Sequence, residues 1–295
     1  MLGRIIKGIA GFYYVAVEGS GIYACKARGI FRKEKQKPLV GDLVQVDVLD
    51  EKDKEANLKE ILPRKNELIR PAVANVDQAM ILFSLRDPDP DGMLLDRFLI
   101  TMEWQKIPVF LCFNKTDLAQ EQEIAGWMKI YAGCGYDVFP ICAETEEGVG
   151  RLRQKLHGKT TVAAGPSGVG KSTLTNVLLQ TEHMETGDLS VKLKRGKNTT
   201  RHAELVPLGE NTFFCDTPGF TALDVPAMEP EDVASCFPEF AAYTGQCRFQ
   251  DCSHLHEPDC RVQEACRDGR ISPERYAHYT RLYEELKQRK KNLFR

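Results

Sequence analysis

The segment Gly165-Pro166-Ser167-Gly168-Val169-Gly170-Lys171-Ser172 constrains this chain more than any other. It matches GxxxxGK[ST], follows an apolar run (161–164) that reads as a buried strand, and precedes a helical stretch opened by Thr173. Glycines at these positions let backbone N–H groups turn inward around phosphate oxygens, and the helix N-terminus adds partial positive charge. Lys171 is expected to reach the outer phosphates and Ser172 to give a hydroxyl to Mg2+. A strand, loop and helix of this kind belong to an α/β sheet. The runs 79–85, 109–113 and 138–141 supply further strands, alternating with helical stretches such as 94–105. Segments 204–208 and 212–216 read as an antiparallel pair at the sheet edge.

A second motif names the base. Asn114-Lys115-Thr116-Asp117 follows the strand ending at Phe113. A carboxylate at Asp117 accepts from both N1–H and the 2-amino group of guanine, whereas adenine carries an acceptor at N1 and no 2-amino donor. A site built on such hydrogen bonds rejects analogues that lack them. Asn114 is expected to buttress the loop and the Lys115 stem to cover the ring. The stretch Ile141-Cys142-Ala143, after another strand, is expected to offer a backbone N–H to the guanine oxygen. Asp216-Thr217-Pro218-Gly219 fits DxxG, a pattern weak by itself. At the end of a strand, Asp216 can hold the Mg2+ water shell and the Gly219 N–H can sense a γ-phosphate. Thr200 is expected to be the second hydroxyl ligand of Mg2+, with Thr199 as the alternative.

These motifs stand in an unusual order, because the base motif precedes the phosphate loop. All of them belong to loops at the carboxyl edge of one parallel sheet, so the site needs the edge intact and not a particular chain order. The expectation is a circularly permuted GTPase domain over residues 67–224.

On either side the composition changes. Residues 1–66 show short alternating runs broken by Gly19-Ser20-Gly21 and by 38–42, about five strands with no helical period. An OB-fold barrel is expected, with an SH3-like barrel as the alternative. Residues 64–71 read as a linker. Residues 225–295 are polar, Cys-rich and finally helical, a mostly α zinc-binding domain. Tyr276, Tyr279, Tyr283 and Leu286 form one apolar stripe, preceded by Ser272 as N-cap and Pro273 at N1.

Of ten cysteines, five fall between Cys236 and Cys266, which directs attention to metal rather than to disulfides. Cys247-x4-Cys252-x-His254-x5-Cys260 supplies three thiolates and an imidazole, a tetrahedral set for one structural Zn2+. His256 and Cys266 are alternative ligands.

Lys and Arg exceed Asp and Glu at both ends of the chain, while the middle is acidic. Clusters at Lys26, Arg28, Arg32, Lys33, Lys35 and Lys37, at Lys192, Lys194, Arg195, Lys197 and Arg201, and at Lys287, Arg289, Lys290, Lys291 and Arg295 suit phosphate contacts with a nucleic acid. No stretch approaches the length of a membrane span, and no signal peptide is read.

A barrel, a permuted GTPase domain and a Cys/His tail together resemble the ribosome small-subunit-dependent GTPase (RsgA) family over essentially the whole chain. The resemblance implies a cytoplasmic, monomeric GTPase, stimulated by the small (30S) ribosomal subunit, contacting 16S rRNA and acting late in subunit maturation, with GTP/GDP, Mg2+ and Zn2+ as ligands and no membrane partner. The alternative is an RNA-binding assembly factor that senses guanine nucleotides with little turnover. After Gly219 stands Phe220, which cannot hydrogen-bond a water. Slow intrinsic hydrolysis is therefore expected, with the missing group supplied by His202 or by the ribosome.

Overall fold

The computed structural model describes residues 1–27, 37–69, 71–186, 203–209, 211–216 and 225–293. The N-terminal strands β1 (Leu2–Ile9), β2 (Phe12–Val17), β3 (Gly21–Ala27), β4 (Leu43–Asp50) and β5 (Glu55–Ile61) close into a barrel in the order β1-β2-β3-β5-β4. All the pairings are antiparallel except β3 with β5. This is the five-stranded Greek-key closure of the OB-fold expectation. Alternation drives it: Ile5, Val15, Tyr23, Cys25, Val44 and Leu58 point inward and are almost fully buried.

Residues 64–69, part of the segment expected to be a linker, are structured. The Arg64 guanidinium donates to both oxygens of the buried Asp42 carboxylate, at 2.7 and 2.8 Å, and to the Lys37 carbonyl. Beyond it β6 (Glu67–Leu68) pairs with β7 (Val73–Ala74). An arginine after a strand carries no sign, in sequence, of a buried acid waiting 22 positions back.

The central sheet holds β8 (Gln78–Ser84), β9 (Val109–Asn114), β10 (Asp137–Pro140), β11 (Thr160–Ala164), β12 (Glu204–Pro207) and β13 (Phe213–Asp216), ordered β10-β9-β8-β11-β13-β12. Only the edge strand β12 is antiparallel, as the sequence suggested. Every residue of β8 and β11 is buried, because helices cover both faces. Helices α1 (Gly92–Trp104) and α2 (Glu121–Ala132) pack on one face through Leu95, Phe98, Leu99 and Tyr131 against Ile81, Phe83, Leu111 and Phe113. Helices α3 (Val149–Leu156) and α4 (Lys171–Thr186) cover the other through Leu152, Leu156, Leu174 and Leu178 against Met80, Leu82, Phe110 and Cys112. The chain leaves β8 toward one face and β11 toward the other. These adjacent strands therefore flank a topological switch point, where open α/β sheets bind ligands.

The barrel docks on the far edge of this sheet. Lys7 pairs with Glu204 of β12 at 2.9 Å, and Arg4 donates to Thr160 Oγ1 at 2.9 Å while lying over the Phe213 ring.

The C-terminal region comprises two 3-10 segments (Pro230–Cys236 and Pro238–Tyr243), α5 (Arg261–Arg267) and α6 (Pro273–Leu293). Ser272 caps α6 by accepting from the Arg275 N–H, and Tyr279, Tyr283 and Leu286 are buried on its inner stripe. Their core also contains Ile100 of α1, so this region is built onto the central domain. Among the described residues no helix is long and apolar enough to cross a membrane.

Candidate guanine-nucleotide site and metal cluster

The phosphate loop leaves the carboxyl end of β11 and enters α4. Gly165 adopts φ +155°, and a Cβ there would stand 2.1 Å from the Leu82 carbonyl oxygen of the neighbouring strand. Gly170 adopts φ +92°, and its Cβ would stand 2.3 Å from Asn114 Nδ2. Both positions exclude side chains on contact and on conformation. Lys171, at the first turn of α4, is buried and donates through Nζ to the carbonyls of Gly165 (2.8 Å) and Pro166. Its ammonium thus lies within the curl of the loop. Thr175 Oγ1 donates to the Lys171 carbonyl at 2.8 Å, fastening that turn. Ser172 and Thr173 are exposed beside it.

The base-reading loop leaves β9 two strands away and is tied to the phosphate loop by Asn114. Its Nδ2 donates to the Val169 carbonyl at 2.9 Å, and its Oδ1 accepts from the Ala143 N–H at 3.0 Å. One buried side chain therefore sets the spacing of three loops. Lys115 takes a left-handed conformation (φ +61°) and donates to the Asp87 carbonyl, while Asp117 stands exposed in the following 3-10 turn. Pro88, in the same β8–α1 connection as Asp87, has its Cδ 3.5 Å from where a Gly168 Cβ would be. Nothing in the sequence singles out residues 87 and 88. A Pro-Asp-rich turn carries no ligand chemistry in its composition, and only the adjacency of β8 and β11 brings it to the phosphate loop.

Residues 142 and 143 lie against the base-reading loop. The Cys142 N–H donates to the Glu147 carbonyl at 3.0 Å and the Ala143 N–H to Asn114. Both amides are committed inside the protein, and Cys142 faces the base-reading loop through its thiol, which donates to Asp117 Oδ1 at 3.0 Å.

Asp216 ends β13 in register with Ala163 of β11, at the mouth of the phosphate loop. Thr199, Thr200, His202, Gly219 and Phe220 lie outside the described residues, as do the cations of segment 192–201 and Arg28, Arg32, Lys33, Lys35 and Arg295.

The Cys/His cluster forms in the loop before α5. The donor atoms of Cys247, Cys252, His254 and Cys260 all lie within 4.8 Å of one another. Cys247 Sγ is 3.9 Å from Cys260 Sγ, and His254 Nδ1 is 3.6 and 3.4 Å from those two sulfurs. Ligands about 2.0–2.3 Å from one zinc at tetrahedral angles stand about 3.5–3.8 Å apart, so these residues fit the ion. Burial pushes the Cys252 thiol up to about 12 and the His254 imidazole down, leaving cation charge to compensate the thiolates. The expected alternatives His256 and Cys266 stand outside this set.

Two supports around the cluster were not read from the sequence. Glu257 accepts from Ser253 N and Oγ, Leu255 N and His256 N. Burial opposes its ionisation, but these hydrogen bonds prevail and hold its carboxyl down to about 2. The hydroxyls of Tyr276 and Tyr279 donate to the carbonyls of His254 (2.7 Å) and Ser253 (2.6 Å), anchoring the knuckle to α6.

Comparison with known proteins agrees with this architecture. The RsgA GTPase family model matches residues 61–226, and the RsgA N-terminal domain model matches residues 2–56. A small ribosomal subunit biogenesis GTPase RsgA of Agathobacter rectalis is 52% identical over 99% of this chain and 100% of its own length. That of Alkaliphilus metalliredigens is 47% identical over 98% and 99%. The crystal structure of YloQ, described as a circularly permuted GTPase, superposes with a TM-score of 0.80 at 38% identity, covering 98% of this chain and 95% of YloQ. YjeQ from Thermotoga maritima does so with 0.81 at 33%, covering 97% and 98%. Family models for both the barrel and the catalytic domain, full-length relatives and the permuted order of the two nucleotide loops converge: the chain belongs to the RsgA family of circularly permuted GTPases.

Proposed function

We propose that this chain is the GTPase of its cell's small-subunit assembly line, hydrolysing GTP in the cytoplasm as a monomer when it meets the immature 30S particle. The observation that carries the reading is Asn114, which holds the base-reading loop and the phosphate loop at one spacing along a single sheet edge. A guanine nucleotide spans that edge, with Asp117 toward the base and Lys171 toward the phosphates. In this reading Ser172 and Thr200 hold Mg2+, whose charge offsets that developing on the phosphate oxygens. Cys247, Cys252, His254 and Cys260 hold one structural Zn2+, since four protein ligands leave no open position for catalysis. The particle's 16S rRNA meets basic side chains that include Lys26, Lys37, Lys287, Arg289, Lys290 and Lys291. The names of the full-length relatives supply the ribosomal assignment.

Co-sedimentation with isolated small subunits, in GDP and in a non-hydrolysable GTP analogue, tests this when hydrolysis is measured in parallel. Expected are nucleotide-dependent binding, weakened steeply by salt, and turnover raised by the subunit. Binding indifferent to the nucleotide, with no stimulation, would overturn it.

A further inference from the structure

Strand β1 of the barrel runs along the central sheet from its amino edge to its carboxyl edge. At the amino edge Arg4 meets Thr160 and the Phe213 ring, the first residues of β11 and β13, which are in register with each other. Further along β1, the Lys7 ammonium reaches both carboxylate oxygens of Glu204, at 3.0 and 2.9 Å. Glu204 opens β12, and because β12 is antiparallel to β13 its Cα partner is Asp216, the last residue of β13. The three steps from Arg4 to Lys7 cover roughly 10 Å, as do the three from Phe213 to Asp216, so the two contacts grip opposite ends of one ladder. Ile6, Ala16 and Ile22 of the barrel pack in the same apolar cluster as Leu205 and Phe213. β12 is the outermost strand of the sheet, paired with β13 on one side, and what covers its free side decides how firmly its end is held.

We propose that Lys7 is a positioning residue for the nucleotide site: by holding Glu204 it fixes the terminal pair of the β12–β13 ladder, and with it the place of Asp216 in Mg2+-dependent nucleotide binding. The inference rests on the reading of Asp216 as the aspartate that holds the Mg2+ water shell. A strand of four residues opens most easily at its ends, and the end that matters here is the one opposite Asp216. With 27% and 24% of the two side chains exposed, the Lys7–Glu204 pair is screened less than a free surface pair. A displacement of about 1 Å is enough to weaken a site that depends on exact placement. Arg4 supplies the comparison, since it belongs to the same strand and the same docking surface but its partners stand at the other end of the ladder. A contact that only docks the barrel is therefore separable by substitution from one that places Asp216.

The test uses the full, zinc-loaded chain and a fluorescent, non-hydrolysable GTP analogue, titrated first in buffer prepared without Mg2+ and then at rising Mg2+. Lys7→Ala and Lys7→Met, the second keeping the stem without the charge, are expected to raise the Mg2+ concentration for half-maximal binding about fivefold, the scale of one partly buried ion pair. Affinity without Mg2+ should stay within about twofold of wild type. Lys7→Arg, which keeps a cation for Glu204, is expected to behave as wild type. In a Glu204→Gln background Lys7→Ala should change nothing further, because the ammonium acts only through that carboxylate. Arg4→Ala should lower the thermal midpoint and leave the Mg2+ requirement unchanged. A Mg2+ requirement within about twofold of wild type in both the Ala and Met variants of Lys7 overturns the proposal. So does equal weakening with and without Mg2+, an Arg variant that behaves as Ala does, or an Arg4→Ala shift as large as that of Lys7→Ala, since each marks barrel docking alone. Asp216→Asn with an unaltered Mg2+ requirement would instead sink the reading of Asp216 on which the proposal stands.

Discussion

Arg275 of α6 and Asp96 of α1, 179 residues apart in the chain, form an ion pair that solvent barely reaches on either side. Glu239 closes the other flank of the guanidinium at 2.8 and 3.1 Å, and the Phe237 ring lies under it with its centroid 4.5 Å away. Asp96 in turn accepts from Tyr131 at 3.1 Å and is paired with His278 at 2.6 Å. Burial disfavours the charge on Arg275, but the two carboxylates outweigh it and hold the guanidinium well above its ordinary range. Removing one partner from such a cluster strands the others without solvent. Asp96→Ala is expected to destabilise the chain by about 3–5 kcal/mol in urea unfolding. A loss below about 1 kcal/mol would show that α6 is held by its apolar stripe alone.

That cluster marks where sequence reading stops. The stripe of α6 and its Ser272 cap were legible because both follow from helical spacing on one element. So were the apolar runs of β8 and β11, the glycine-rich turn between β11 and α4, and the clustering of Cys247, Cys252, His254 and Cys260. Asp96 gave no such signal: between Leu95 and Arg97 it reads as a solvated helix position, and its partner lies on an element nothing local connects to it. Arg64 and Glu257 were hidden similarly. Each satisfies a polar group that only the tertiary fold buries, and pattern rules see faces rather than partners.

Gly170 admits a sharper comparison. Its positive φ and the 2.3 Å approach of Asn114 to any Cβ predict that Gly170→Ala pushes the two nucleotide loops apart. GDP affinity should fall by at least about a hundredfold, measured by titration with a fluorescent GDP derivative. Gly126→Ala is the control: it sits exposed in α2 with open space where the Cβ would go, and should add about 0.5–1 kcal/mol of stability with affinity unchanged.

Asn114 itself should be more sensitive than Asp117 to the phosphate end of the ligand. Asn114→Ala leaves the Val169 carbonyl and the Ala143 N–H without their buried partner. The expected cost is about 1–3 kcal/mol of stability. A loss of affinity should then appear for pyrophosphate as well as for GDP, since the phosphate loop loses its strut. Asp117→Ala should weaken GDP alone. Equal profiles for the two variants would mean that Asn114 serves only the base.

Removing the metal should release the knuckle from α6 rather than disturb the nucleotide. With four ligand atoms already at zinc-like separations, one zinc per chain is expected by atomic absorption, and Cys260→Ser should abolish it. Binding energy in such sites is folding energy, so a chelator should lower the thermal midpoint by roughly 10 °C or more. The near-ultraviolet dichroism of Tyr276 and Tyr279, whose hydroxyls grip residues 254 and 253, should change with it. GDP affinity should persist, because Asn114 is tied to Val169 and Ala143, Asp117 to Cys142 and the Lys171 ammonium to Gly165, all in the loops at the sheet edge. Chelation that leaves both the midpoint and the tyrosine signal in place would show that Glu257 and the two tyrosines fold the loop unaided, and that the thiolates serve some purpose other than structure.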